Sequence, residues 1–269
     1  MSMNSDDRAS ARQSLDRRTA LGASLALAAL LLPAAASAGV CDAPWTHDGG
    51  EIRMTMQGGA PGTATMSVSG VRKSGKGQCN ANISVVSNVA AAGSANETRL
   101  DYTMAVIEDR LTISRGGAPG KVEGKSAAGT ASGMLDSSAV GTLAYGGVIE
   151  AEGQRLPGES QTVRMDLQLT AAGQSAGQAK IPSARVTIGG KVVGKRATIP
   201  TRLGQKSCWP VRYERTTTMA PVTVAGHTVS VPPATASVTD WYCPDMGLVM
   251  KQEVVQNGQA GTIEVVSVK

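Results

Sequence analysis

Short runs in which apolar and polar residues alternate, separated by glycine-containing turns, recur along most of this 269-residue chain. Successive side chains of a β-strand point to opposite faces, so such runs predict strands with one buried and one solvated face. The clearest run covers residues 163–169, Val-Arg-Met-Asp-Leu-Gln-Leu. No stretch after residue 38 sustains the 3.6-residue apolar period of a helix over a dozen positions. The sequence therefore predicts a mainly β fold, a curved antiparallel sheet forming a half-barrel or a sandwich, with few helices.

Turn residues between these runs predict hairpins. Asn257-Gly258 gives the strongest signal, because Asn-Gly suits the tight turns that connect antiparallel strands. Gly189-Gly190 also predicts a hairpin turn, between residues 185–188 and 191–193. Further strands are expected around the runs 52–56, 64–68, 82–86, 100–107, 111–114, 222–224, 228–231, 251–255 and 262–268.

Residues 116–147 differ in composition from the rest of the chain. They are rich in Gly, Ala and Ser and show little periodicity. Such composition favours a long surface loop or connection over packed structure. The mature chain, residues 39–269, is therefore expected to be one β-rich domain, or two halves, 39–115 and 148–269, joined by this segment.

The first 38 residues have the three parts of a signal peptide. A polar segment with four arginines precedes an apolar run over about residues 20–32, and Ala36-Ser37-Ala38 forms an A-x-A cleavage pattern. The apolar run is shorter than the roughly 20 residues that span a bilayer. Arg17-Arg18 partly matches a twin-arginine signal, but the general (Sec) route is favoured. A cleaved signal predicts a periplasmic or secreted protein with no transmembrane segment left in the mature chain.

Four cysteines, Cys41, Cys79, Cys208 and Cys243, all lie in the mature part. An even number of cysteines in an exported chain predicts two disulfides. Three connectivities are open, of which Cys41–Cys79 and Cys208–Cys243 are favoured because each closes a loop of moderate length. A zinc site that also uses His47 is the less favoured reading, because the close Cys-x-x-Cys pairs of such sites are absent.

Charge and motif content narrow the classes of function. Residues 1–38 contain four arginines and three aspartates, which leaves the mature part with 22 basic and 18 acidic side chains and a net charge of +4. These charges are scattered, whereas a nucleic-acid-binding surface gathers them on one face. Dinucleotide-binding, HExxH and EF-hand motifs are absent from the sequence. We therefore expect no nucleic-acid partner, no metal and no cofactor.

One stretch offers the elements of an acid–base site. His47 lies close in sequence to Asp42 and Asp48, so a histidine with a carboxylate partner, as in some hydrolases, is a hypothesis. No nucleophile motif such as G-x-S-x-G accompanies it. A disulfide-tethered entry into the first strand is the favoured interpretation, and no catalytic residue is assigned.

Most aromatic residues of the mature chain lie between residues 207 and 251. Trp209, Tyr213, Trp241 and Tyr242 accompany two of the cysteines there. Aromatic side chains bring large apolar areas together with polar atoms that need partners. A core built around the disulfide is the favoured reading, and the functional alternative is that these four residues line a pocket for an apolar or amphiphilic ligand.

The segment 241–249, Trp-Tyr-Cys-Pro-Asp-Met-Gly-Leu-Val, followed by Lys251 and Glu253, resembles a WYxPxxGLVxxE signature. This signature occurs in uncharacterised envelope proteins of the DUF3108-like group, which is similar to the LolA/LolB lipoprotein-carrier superfamily. The resemblance covers about the last third of the chain. It implies that two strands joined by a turn with Pro244 and Gly247 form part of a curved antiparallel sheet. It does not extend to the helices of those carriers or to the Gly/Ala-rich first half of this chain.

Three functions are compatible with these features. The leading hypothesis is a non-enzymatic periplasmic protein that binds an amphiphilic ligand, such as a lipid, or an envelope protein. The second is a structural or assembly factor whose exposed sheet edges pair with another envelope protein. The third is a hydrolase that uses the neighbourhood of His47.

Overall fold

The computed structural model describes residues 39–269, apart from 59–60, 92–93, 108–109, 115–119, 127–128, 138–143, 146–148, 172–173 and 225. The predicted signal peptide lies outside the described residues. A short 3-10 helix, Val40–Asp42, precedes the first strand. Within the described part of the chain, no helix is long and apolar enough to cross a membrane.

Nearly all other regular structure is β. The strands are β1 Glu51–Gln57, β2 Gly62–Gly75, β3 Gln78–Ala91, β4 Ser94–Ile107, β5 Arg110–Ser114, β6 Gly120–Ser126, β7 Gly129–Ser137, β8 Arg155–Leu156, β9 Glu159–Ala171, β10 Gln174–Ile188, β11 Lys191–Val193, β12 Ala197–Thr201, β13 Gly204–Met219, β14 Val222–Val224, β15 His227–Val229, β16 Ala234–Cys243, β17 Leu248–Gln256 and β18 Gln259–Val268.

Every pairing between these strands is antiparallel, and all belong to one sheet. The prediction of a mainly antiparallel β fold with few helices is confirmed. The long strands follow one another in the order β4, β3, β2, β1, β18, β17, β16, β13, β10, β9, β7 and β6. The last of these, β6, pairs with β4 over residues 122–125 and 97–100, so the pairings form a circuit.

Several hairpins agree with their turn residues. Asn257 and Gly258 both have positive φ angles, 51° and 74°, as the tight turn between β17 and β18 requires. Pro244 and Gly247 lie in the turn between β16 and β17, where the Met246 N–H donates to the carbonyl of Cys243. The strand–turn–strand arrangement expected at residues 241–249 is present.

The hairpin predicted at Gly189-Gly190 is wrong. Strands β10 and β11 do not pair with each other, because both pair with β13, one after the other. The Gly189 N–H donates to the carbonyl of Glu214 on β13, so the chain continues along its neighbour through this point. A glycine pair permits a bend as readily as a reversal, and the sequence alone does not separate the two.

The prediction of a long loop over 116–147 is wrong for the two stretches that form β6 and β7. Strand β6 pairs with β4 and β7 pairs with β9, so the segment contributes strands that connect the earlier and later parts of the sheet. Glycine, alanine and serine carry too little apolar contrast to show a two-residue period. A side chain at Gly133 would collide with the backbone of Asp166, so glycine is needed where β7 and β9 approach.

Both disulfides are present, and their pairing is the favoured one. Cys41 is bonded to Cys79 and Cys208 to Cys243, and among the described residues no cysteine is free. The first bond ties the segment before β1 to β3, and the second joins the neighbouring strands β13 and β16. Two buried disulfides indicate an oxidising compartment.

Candidate functional site

Most buried side chains of the sheet lie on one of its faces, and we call this the inner face. It is defined by Ile52, Met66, Ile83, Met104 and Val238, each at most 6% exposed. The registers of the paired strands place them on the same side, because directly paired residues share a face. The neighbouring residues in each strand point to the other side, the outer face.

Burial along the inner face changes from one end of the strands to the other. In β1, Ile52 and Met54 are buried, and Met56 is half-buried. The same gradient appears in β3, where Ile83 is buried and Val85 is half-buried, and it recurs in β2, β4 and β18. The inner face is therefore covered at one end of the strands, which we call the closed half, and only partly covered at the other, the open half.

The open half of the inner face is lined largely by aliphatic side chains. Each is half-buried although its strand belongs to the circuit of paired strands. They are Met56, Ala64, Val85, Leu100, Val163, Leu167, Leu169, Ala179, Ile181, Val186, Val254 and Ile263. Apolar side chains that the described chain covers only in part form an apolar surface of the kind that binds ligands.

The segment before β1 covers the closed half from one side. Trp45 is 1% exposed and donates its indole N–H to the carbonyl of Met246, 3.2 Å away. Val40 and Cys41 are also 1% exposed, and the bond from Cys41 to Cys79 holds them against the sheet. The lead-in predicted to be tethered by a disulfide thus closes one end of the interior.

A polar cluster centred on Asp240 lies on the same face, near the closed half. Asp240 is only 2% exposed, which is rare for a carboxylate unless it is fully hydrogen-bonded. Its Oδ2 accepts hydrogen bonds from the hydroxyls of Tyr145, at 2.6 Å, and Tyr213, at 3.1 Å. Its Oδ1 accepts one from the side-chain amide of Gln252, at 2.8 Å. The carboxylate therefore joins β13, β16 and β17 to Tyr145.

Burial is the main cause of the pKa shifts in this cluster. Removal from water raises the pKa of Asp240, while the hydrogen bonds from Tyr145, Gln252 and Tyr213 and the nearby charge of Lys191 oppose that shift only in part. The pKa values of Tyr145 and Tyr213 are also raised, first by burial and then by the Asp240 carboxylate. Both tyrosines therefore stay protonated and act as hydrogen-bond donors.

Lys191 is the buried cation of this region, with 7% of its surface exposed. Its Nζ forms an ion pair with Glu159 at 2.5 Å and lies 5.3 Å and 5.8 Å from the ring centres of Tyr145 and Tyr213. These distances are within the range of cation–π contacts. Lys191 therefore has a carboxylate partner and two aromatic neighbours.

The surroundings of Arg215 differ from those of Lys191. Arg215 pairs with Ala236 of β16 and Ile188 of β10, two positions beyond Tyr213 on β13, so it lies on the inner face next to Tyr213. It is half-buried. Within the part of the chain that the structure describes, no carboxylate lies at ion-pair distance from it. Arg215 thus brings to a largely aliphatic surface a guanidinium that no carboxylate of the described residues pairs with.

The structure brings three of the four aromatic residues proposed to line a pocket, Trp209, Tyr213 and Tyr242, to one face and separates Trp241 from them. Tyr242 is 3% exposed and packs in the closed half with Val211 and Val249, and Trp209 packs partly buried against the same group. Tyr213 is on the same face and bonded to Asp240. Trp241 points to the outer face, where its indole N–H donates to Glu253. Their role in ligand binding stays a prediction.

Sequence reasoning missed Asp240, Lys191 and Arg215 as residues of interest. The sequence contained a signal for Asp240 and Arg215. Asp240 follows Val238 in the inward two-residue series of β16, and Arg215 follows Tyr213 in that of β13. A charged residue at a position where the strand period expects an apolar one marks an inner-face charge.

The neighbourhood of His47 does not assemble an acid–base pair. The His47 side chain is exposed, and its ring nitrogen contacts the main-chain carbonyl of Asp48. The Asp48 carboxylate accepts the N–H of Val71, and Asp42 pairs with Lys73. Among the described residues, no group of three or more His, Cys, Asp or Glu side chains could hold a metal ion.

The fold and this surface define the class of the protein: an antiparallel β protein with two disulfides and an apolar face that is covered at one end of the strands. Neither a family model nor a curated protein matches the chain. DUF3108-like and LolA/LolB proteins therefore remain a resemblance carried by one segment.

The chain is similar, at low identity, to solved structures from three bacteria. A protein with a YmcC-like fold from Bacteroides fragilis, provisionally described as exported, is 13% identical, with a TM-score of 0.45, over 83% of this chain and 96% of that one. A protein from Parabacteroides distasonis, provisionally described as a lipoprotein, is 11% identical with the same TM-score and coverage. A β-barrel-like protein of domain of unknown function DUF1849 from Brucella abortus is 9% identical, with a TM-score of 0.33, over 82% of this chain and 96% of that one. Similarity at this level carries no inference about a ligand.

Proposed function

We propose that this protein is a non-enzymatic, exported protein that binds the apolar part of an amphiphile on the open half of its inner face. The observation that carries the proposal is the gradient of burial along the strands. Apolar side chains of the inner face are buried at one end of the strands and half-buried at the other. Covering the exposed ones with an alkyl chain would gain about 25 cal/mol for each Å² of apolar surface removed from water.

The compartment expected for the protein, outside the cytoplasm, supports the same proposal. Two disulfides suit an oxidising environment, and residues 1–38 have the pattern of a signal peptide. We therefore place the mature protein in the periplasm or outside the cell. The resemblance of residues 241–249 to envelope proteins similar to lipoprotein carriers also favours a lipid-like ligand.

The alternative of an assembly factor that pairs through its sheet edges has less support. Each long strand of the circuit has a partner on both sides. Among the described strands, those left with one partner are short, namely β5, β8, β12 and β15, of two to five residues. Short edges offer few unpaired backbone groups to another chain.

Two adjacent valines of β17 allow a matched test. Val254 is half-buried on the inner face, whereas Val255 is 48% exposed on the outer face. We expect V254R to weaken the binding of decanol, an uncharged amphiphile, at least tenfold, or by about 1.4 kcal/mol, because it puts a charge into the apolar surface. We expect V255R to change it less than about twofold, because that side chain already lies in water. Isothermal titration calorimetry measures both affinities.

Circular dichroism and thermal unfolding of both variants show whether the fold is retained. Equal affinities of V254R, V255R and the unsubstituted protein would contradict binding on the inner face. If V254R does not fold, Leu167→Gln with Gln168→Ala as its outer-face control provides the same comparison on β9.

A further inference from the structure

Arg215 gives the proposed ligand a chemical class. We propose that the amphiphile is a single-chain carboxylate, a fatty acid, whose anionic head binds the guanidinium of Arg215 while its alkyl chain lies on the open half. This inference rests on the proposed function and specifies the ligand of the same site.

The position of Arg215 supports a role in binding. It lies on the inner face, level with Ala236 and Ile188 and two residues from Tyr213, at the border between the polar cluster and the open half. A guanidinium on an apolar face loses water, and that loss is costly unless an anion or several hydrogen-bond acceptors compensate. The described chain supplies Arg215 with no such carboxylate.

The other charged side chains on the described part of this face already have partners within the protein. Glu159 pairs with Lys191 at 2.5 Å. The oxygens of Asp240 accept bonds from two tyrosine hydroxyls and an amide. Among the described charges of the inner face, Arg215 is consequently the one to which a ligand can add a complementary charge. Arginine binds carboxylates through two parallel N–H···O bonds.

The chemistry of the surrounding surface selects the rest of the ligand. On β10, which flanks Arg215, Val186 is half-buried on the inner face toward the open end. Val254 is half-buried on the same face of β17, the strand that pairs with β16. Aliphatic side chains of this kind suit an unbranched alkyl chain, which makes no hydrogen bonds. The site offers one cation, Arg215, next to an aliphatic surface. A ligand with one carboxylate and one alkyl chain complements both.

The test compares decanoate with decanol in calorimetry at pH 8, where the fatty acid is ionised. Arg215→Gln should lower the affinity for decanoate about tenfold to a hundredfold, the loss expected for a charge-assisted hydrogen bond. Its affinity for decanol should stay within about twofold of the original. Arg212→Gln is the matched control, because Arg212 lies on the same strand and is exposed on the outer face; it should leave both affinities unchanged. Arg215→Met, which removes the charge but keeps an apolar side chain, should show the same selective loss of decanoate affinity and serves if the glutamine variant does not fold.

Each of the following results would contradict part of the proposal. Unchanged decanoate binding by Arg215→Gln, with decanol still bound, would overturn the role of Arg215 and leave the proposed function intact. Equal losses for decanoate and decanol would show that the substitution disturbs the apolar surface, and would also overturn the assignment of the head group. Absence of binding of both probes to the unsubstituted protein would overturn the proposed function as well.

Discussion

Replacement of Asp240 by alanine is expected to lower the free energy of unfolding by roughly 3–5 kcal/mol. The side chain is 2% exposed, and it accepts hydrogen bonds from Tyr145, Tyr213 and Gln252. Its removal leaves three donors in the interior without an acceptor, and each such group costs about 1–3 kcal/mol when it stays dry. Chemical denaturation measures the loss, and the near-ultraviolet circular dichroism of the two tyrosines reports whether their packing changes.

Asp240→Asn is the control for this prediction. Asparagine keeps the shape and one acceptor oxygen while it removes the charge that burial disfavours. We expect it to cost clearly less than the alanine variant. Equal losses for the two variants would contradict the view that unpaired donors, rather than loss of the carboxylate charge, cause the destabilisation.

Loss of the Cys41–Cys79 disulfide is expected to cost about 3–4 kcal/mol in the chain-entropy model. The bond joins residues 38 positions apart, and the Cys208–Cys243 bond joins residues 35 positions apart, so loop closure predicts nearly the same loss for both. The double variant C41A/C79A differs from C208A/C243A in a local effect. It frees the segment with Trp45 that covers the closed half, whereas β13 and β16 remain paired without their disulfide.

Hydrogen exchange of residues 40–47 separates these effects. We expect faster exchange there in C41A/C79A than in C208A/C243A at equal global stability. The same exchange in both variants would show that the tether does not hold the closed end. Denaturation curves of the two variants give the global loss.

Alternation of residue types made much of this fold predictable. The run at 163–169 lies within β9, and Asn257-Gly258 forms the turn between β17 and β18. Local chemistry determines both features, because a strand with one buried face needs alternation and this turn needs two residues with positive φ. The disulfide pairing was also predictable, since each bond closes a loop of moderate length.

Features set by distant parts of the chain were not predictable. Strands β6 and β7 carry few apolar side chains, and glycine at position 133 reflects the approach of β9, which the local sequence does not reveal. The bonds of Asp240 reach Tyr145, 95 positions away. Likewise, the significance of Arg215 depends on which carboxylates lie near it in space. From the sequence, only the presence of a charged residue at an inward position of its strand could be recognised, for Asp240 in β16 and for Arg215 in β13.

Photo-cross-linking with a fatty acid that carries a diazirine on its alkyl chain tests the central claim most directly. Peptide mapping by mass spectrometry would identify the labelled residues. The account predicts adducts on inner-face residues of the open half, such as Met56, Leu167, Val254 and Ile263, and their suppression by excess decanoate. Adducts confined to exposed apolar residues away from that surface, namely Val229, Val231 and Val255, which are 54%, 36% and 48% exposed, would contradict it.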